Sequence, residues 1–174
     1  MEEQPWNIGR LMATSGSYWH ACALHAGVKL EIFTHIGQEI LAAATVAKRL
    51  HADLRGVEIL LNALTAMHLL EKEEGRFKNS AFAQTTLDKT SPQYVGYMIK
   101  HHHFLVESWA QLDQAVLSGQ PVRKSAVDAD DERRESFLMG MFNTAMGSAA
   151  QISEIIELIG RSRLLDLGGG PGTY

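Results

Sequence analysis

The apolar residues Leu164, Leu165 and Leu167, broken by Asp166 and running straight into Gly168-Gly169-Gly170-Pro171-Gly172, constrain the fold of this chain more than any other feature. A short apolar run over 163–167 closed by glycines predicts a buried strand of a parallel sheet. Closely spaced glycines let the backbone turn through positive φ and approach a ligand without Cβ clashes. Strand, acidic residue and glycine turn together are how a nucleotide-binding α/β domain opens, with the next helix offering its N-terminal amides. The chain reaches Tyr174 two residues after Gly172. The expectation is therefore a cofactor site begun here but not completed within these 174 residues, its strand an orphan without a sheet.

Upstream of this turn the pattern is helical. Ile8, Leu11, Ser15 and Cys22 recur at helical spacing, and Ile32, Phe33 and Ile36 continue it after Gly27. Two opening helices joined around 26–29 follow. A short helix over Ala43–Leu50, a turn, and a helix from Asp53 with Val57, Leu60, Leu61 and Leu64 on one face come next. Leu69 to Lys78 reads as a hairpin turning at Glu74-Gly75. Helix, turn, helix and hairpin make a winged-helix layout over about 41–79.

Ser91-Pro92 predicts a helix start running to about His103. Leu105, Trp109, Leu112 and Val116 then mark an amphipathic helix ended by Gly119 and Pro121. Asp128, Asp130, Asp131 and Glu132 put negative charge where the dipole of the next helix favours it. That helix carries a stripe of Leu138, Met141, Phe142, Ala145, Ala149, Ile152, Ile156 and Ile159, with a bend at Gly147 and an end at Gly160. The predicted fold class is mainly α: a helical domain with an embedded winged helix over 1–160, then the first strand of a truncated Rossmann-like α/β domain over 161–174. So many apolar helix faces predict burial against a second copy of the chain.

Composition narrows the function classes. A net charge of −4 weighs against nucleic-acid and anionic-membrane partners. No run of ~18 apolar residues predicts a membrane span, and the acidic N-terminus is no signal peptide. The lone cysteine, Cys22, excludes an internal disulfide and fits a reducing cytoplasm. Its alanine neighbours predict a buried structural thiol.

The glycine motif is G-x-G-x-G, with Asp166 two positions before its first glycine, and resembles the first motif of S-adenosylmethionine-dependent methyltransferases. Two further segments are similar to one branch of them. Trp109-Ala110-Gln111-Leu112 through Gly119-Gln120-Pro121 resembles the W-x-x-L…G-x-P stretch, and Phe142-Asn143-Thr144-Ala145-Met146 the F-N-x-A-M segment, of plant-type and hydroxyneurosporene-type small-molecule O-methyltransferases. The winged helix resembles the N-terminal dimerisation domain of that family. The resemblance implies S-adenosylmethionine as cofactor, contacted by Asp166, Gly168, Gly170 and Gly172. It implies Trp109, Phe142, Asn143 and Met146 as lining of the cofactor or acceptor pocket, although an apolar residue in a helical stripe is more often plain core. It implies methyl transfer to a small, aromatic or polyketide-like hydroxyl, with a general-base histidine beyond Tyr174. The chain alone is expected to form homodimers and not to catalyse.

Other readings stay open. One is a stand-alone dimerisation module, and another a winged-helix regulator. The helix from Asp53 to His68 sets one arginine, Arg55, against Asp53 and Glu58, and the hairpin has three basic and three acidic residues, so no basic stripe exists to neutralise phosphates. His101-His102-His103 point about 100° apart on a helix and cannot converge on one metal. They read as a partly solvated helix end.

Overall fold

A computed structural model describes residues 5–122, 130–156, 159–163, 165–170 and 172. They fall into two compact units, one up to Thr90 and one from Ser91.

The first unit opens with a helical arm. Asn7 caps helix α1 (Ile8–Gly16), its side chain accepting from the Arg10 amide at 2.9 Å. After a break at Ser17 the chain continues as α2 (Tyr18–Lys29). Every residue from Pro5 to Cys22 is exposed except half-buried Gly16, and only the end of α2, at His25, Gly27 and Val28, enters the core. Cys22 is thus exposed rather than a buried thiol, because it sits on the arm before the helix reaches the core.

The rest of this unit is the winged helix. Helix α3 (Ile32–Ile36) leads into β1 (Leu41–Ala42), α4 (Ala43–Leu50) and α5 (Leu54–Ala66). Asp53 caps α5 by accepting from the Gly56 amide at 2.8 Å. Strands β2 (Leu70–Glu73) and β3 (Arg76–Asn79) form the hairpin, with Glu74 and Gly75 both at positive φ, the geometry of a tight two-residue turn. The antiparallel sheet runs β1-β3-β2, with Leu41 opposite Phe77 and Lys72 opposite Phe77 on the other side. Ile32, Phe33, Ile36, Val46, Leu61, Leu64, Leu70 and Phe77 are each at most 1% exposed and form the core. The Asn79 amide donates to the carbonyls of Phe33 and Gly37 at 2.8 and 3.0 Å, satisfying the end of α3 from the wing. Helix α6 (Ala81–Thr86), capped by Ser80, closes the unit.

The second unit departs from several expectations. No helix starts at Ser91. Its hydroxyl and carbonyl accept from the amides of Gln93 and Tyr94 in a turn, and α7 (Gly96–Trp109) begins later. The cause is the buried Tyr94 ring, which lies so close to Gly96 that a Cβ there would stand 2.2 Å from it. Helix α7 runs through the three histidines, which are mid-helix rather than a helix end. The break falls at Ala110–Gln111, before α8 (Leu112–Ser118), which Gly119 ends at φ +66°.

Helix α9 (Asp131–Ile155) is capped by Asp130, which accepts from the Arg133 amide at 2.8 Å; Asp128 lies outside the described residues. The helix passes Gly147 and stops at Ile155, short of Gly160. It packs antiparallel to α7, with Tyr94 against Asn143, Met98 against Gly140, His101 against Phe137 and Phe104 against Arg133. Of the predicted stripe Ala145 is buried while Leu138 and Met141 are about two-fifths exposed, and the other buried positions are Ser136 and Gly140. Small residues let the helices approach until a Cβ on Gly140 would lie 3.0 Å from Met98 Cα. Leu164 of the predicted strand 163–167 lies outside the described residues; the described ones of that stretch pair with no strand among the described residues, and Leu165 and Leu167 are exposed.

Candidate functional site

The glycine turn holds the conformation its sequence suggests. Gly168, Gly170 and Gly172 sit at φ +77°, +54° and +67°, where L side chains are strained. The Gly172 amide donates to the Gly169 carbonyl at 2.9 Å, closing the turn. Asp166 folds back over it: a Cβ placed on Gly169 would fall 1.7 Å from Asp166 Oδ2. Among the described residues nothing lies within 4 Å of the Cβ positions of Gly168, Gly170 and Gly172. The result is bare backbone beside one carboxylate, a geometry that suits a ligand carrying an ammonium group. Asp166 and the glycine turn thus meet at Gly169.

The four pocket candidates are not. Phe142, Asn143 and Met146 share one stretch of α9; the first two are half-buried and Met146 is 52% exposed. Asn143 Nδ2 donates to the Tyr94 carbonyl, so this amide ties α9 to the start of α7. Trp109, at the far end of α7, is 68% exposed. In the antiparallel pair it stands about 20 Å along the helix from the level of Asn143. The close approach at Gly140 and Tyr94 was not anticipated; the visible signal was a glycine in the middle of an apolar helical pattern.

Two lysines of the hairpin are engaged by neighbouring side chains. Lys78 bonds Glu73 at 2.7 Å and Glu71 at 3.2 Å, and these carboxylates hold its ammonium above the usual lysine range. Lys72 donates to Asn62 at 2.8 Å. Among the described residues no group of three His, Cys, Asp or Glu side chains could hold a metal, and His101 instead stacks on Phe137 at 5.1 Å between centroids. No helix is long and apolar enough to cross a membrane among the described residues.

Residues 12–89, lying within the first unit, match the family model of the O-methyltransferase dimerisation domain. That stretch is similar to the domain through which O-methyltransferases of this type are recognised, and it covers under half of the chain. It is 32% identical over 162 residues to 3-hydroxy-5-methyl-1-naphthoate 3-O-methyltransferase of Streptomyces sahachiroi, covering 89% of this chain and 47% of that protein. A solved O-methyltransferase family structure from Burkholderia thailandensis superposes with a TM-score of 0.82 at 28% identity, over 98% of this chain and 52% of that one. PigF with SAH gives 0.84 at 24% identity, over 97% and 53%, a likeness of fold alone. The chain spans about half the length of the relatives it matches.

Proposed function

We propose that these residues are the dimerisation half, and the opening of the cofactor site, of an S-adenosylmethionine-dependent O-methyltransferase acting on a small aromatic or polyketide-like hydroxyl. The observation that carries this reading is the Asp166–Gly172 turn, with three glycines at positive φ and the Asp166 carboxylate against Gly169 between two of them, following a stretch that matches a dimerisation domain. The cofactor would supply an electrophilic methyl on a sulfonium. Asp166 would hold its ammonium end, and the bare backbone at Gly168, Gly170 and Gly172 would let it lie against the turn. Phe142 and Met146 would exclude water from one side of the pocket, Asn143 would fix the helix that carries them, and Trp109 would line a different stretch. Transfer then depends on positioning and on a base for the acceptor hydroxyl.

The 174 residues by themselves are proposed to pair as a homodimer in the cytoplasm, without methyl transfer and without nucleic-acid or membrane partners. We further propose a boundary near residue 160 between the helical region and the cofactor domain. Two assays test this. The product of the whole reading frame should methylate hydroxynaphthoates with labelled S-adenosylmethionine, while the 174 residues should not. Micromolar S-adenosylmethionine binding by the 174 residues in calorimetry would overturn the second half of the proposal.

A further inference from the structure

Two cations, Lys100 and Arg133, lie along the seam between α7 and α9, beside aromatic rings that the proposed reaction leaves without a role. The Lys100 side chain, on α7, is 11% exposed and stands 3.8 Å from Glu132 of α9. The Arg133 side chain, on α9, is 32% exposed, with its guanidinium 5.1 Å over the Phe104 ring. It reaches Glu107 and Asp130 at 3.7 Å each. These distances are too long for hydrogen bonds, whereas the surface pairs of Lys78 with Glu73 and Arg49 with Glu39 close to 2.7 and 2.8 Å. Arg133 Nε is buried and has no hydrogen-bond acceptor among the described residues. A buried donor in that state is rare and calls for an explanation. The side chains of Glu132, Glu107 and Asp130 are 49%, 58% and 65% exposed, so water screens them more than it screens the two cations. Close by, Phe137 meets His101 with ring centroids 5.1 Å apart and keeps 38% of its surface open.

We propose that this seam recognises the carboxylate of an aromatic acid, and that the acid is the methyl acceptor. The inference rests on the O-methyltransferase reading above and narrows its acceptor from a small aromatic hydroxyl to a hydroxyaryl carboxylate. A guanidinium presents its N–H donors in a planar fork that matches a carboxylate, and the Nε–H of Arg133 is one prong of that fork. The carboxylate of the acceptor takes this prong in place of the long contacts to Glu107 and Asp130. Lys100 supplies a second charge that is already shielded from water. The ring of the acid lies against the open side of Phe137. An amine would meet two cations here, and Arg133 already covers the Phe104 face on which a cation would sit. The helix that carries Arg133 and Phe137 also carries Phe142 and Met146, the candidates for the wall of the acceptor pocket.

Turnover of paired acceptors tests the site. The product of the whole reading frame is assayed with labelled S-adenosylmethionine on a hydroxynaphthoate and on the matching naphthol, which lacks the carboxylate. The acid should be used with the higher kcat/KM, by about 10- to 100-fold, as charge-assisted hydrogen bonds allow. Arg133→Gln and Lys100→Met should each shrink that preference, mainly by raising KM for the acid. Arg133→Lys, which keeps the charge without the fork, should retain part of it. Equal use of the two acceptors by the unsubstituted protein, or equal loss of both in every variant, would overturn the carboxylate site while leaving methyl transfer intact. If neither acceptor is methylated, the reading of the function fails, and calorimetry with 1-naphthoate decides the site separately. Binding that weakens about tenfold or more in Arg133→Gln supports it. No binding, or binding unchanged by the substitution, overturns it.

Discussion

The two units are built on opposite packing rules. The winged-helix unit buries large side chains, with Phe33, Phe77, Ile32, Ile36, Leu61, Leu64 and Leu70 nearly free of solvent around a three-stranded sheet. The unit from Ser91 buries mostly small ones, Ser136, Gly140 and Ala145 on α9, along with the ring of Tyr94, and leaves Trp109, Leu112, Val116 and Leu117 exposed. One is a core that the chain completes alone. The other is a close helix pair whose larger apolar residues still face outward. The lesson is that apolar periodicity marks a face to be covered without saying what covers it.

Substitutions in the two units should therefore fail in different ways. Phe77→Ala should empty the middle of the first core and cost about 3–5 kcal/mol in denaturant unfolding, lost from the winged-helix transition. Gly140→Leu should cost ~1–3 kcal/mol by forcing α9 off the Met98 backbone, and hydrogen exchange should report it in α7 and α9 while the winged-helix amides stay protected. If Gly140→Leu is neutral, the helix pair is not close-packed and the contrast fails. Asn143→Ala leaves the Tyr94 carbonyl without its donor and should cost about 1–3 kcal/mol, with exchange rising first near Tyr94. The smallest effect belongs to the exposed Glu39–Arg49 pair, 2.8 Å apart. The Arg49 hydrogen bond lowers the Glu39 pKa below its ordinary value of 4.5. Its contribution is thus present above that value and lost as pH falls through the lowered one. Glu39→Gln should remove only a slight acid-side slope in a pH series of thermal melts, as expected of a solvated pair.

Much of the first unit was legible. Asp53, the β-turn at Glu74-Gly75 and the Val57–Leu61–Leu64 face each act locally, and local signals translate directly into caps, turns and buried stripes. The second unit was read less well because its boundaries are set at a distance. Ser91-Pro92 looks like a helix start, yet the burial of Tyr94 delays the helix to Gly96. Leu138 and Met141 outrank Ser136 and Gly140 on any hydrophobic pattern, yet closeness of approach favours the small residues. Cys22 was misread for a similar reason: alanine neighbours speak of an apolar helix, while the arm carries that stretch away from the core. For the candidate site, the glycines announced their own positive φ. Nothing in the sequence showed that Asn143 would be engaged by the Tyr94 carbonyl or that Trp109 would stand at the other end of the helix pair.

As the dimerisation domain that residues 12–89 match, the first unit is proposed to set its exposed apolar faces against those of a second copy. Light scattering on the 174-residue chain across a dilution series tests it most directly. The expected mass is twice 19.2 kDa, persisting on dilution into the low micromolar range. A single species of 19.2 kDa at every concentration would contradict it.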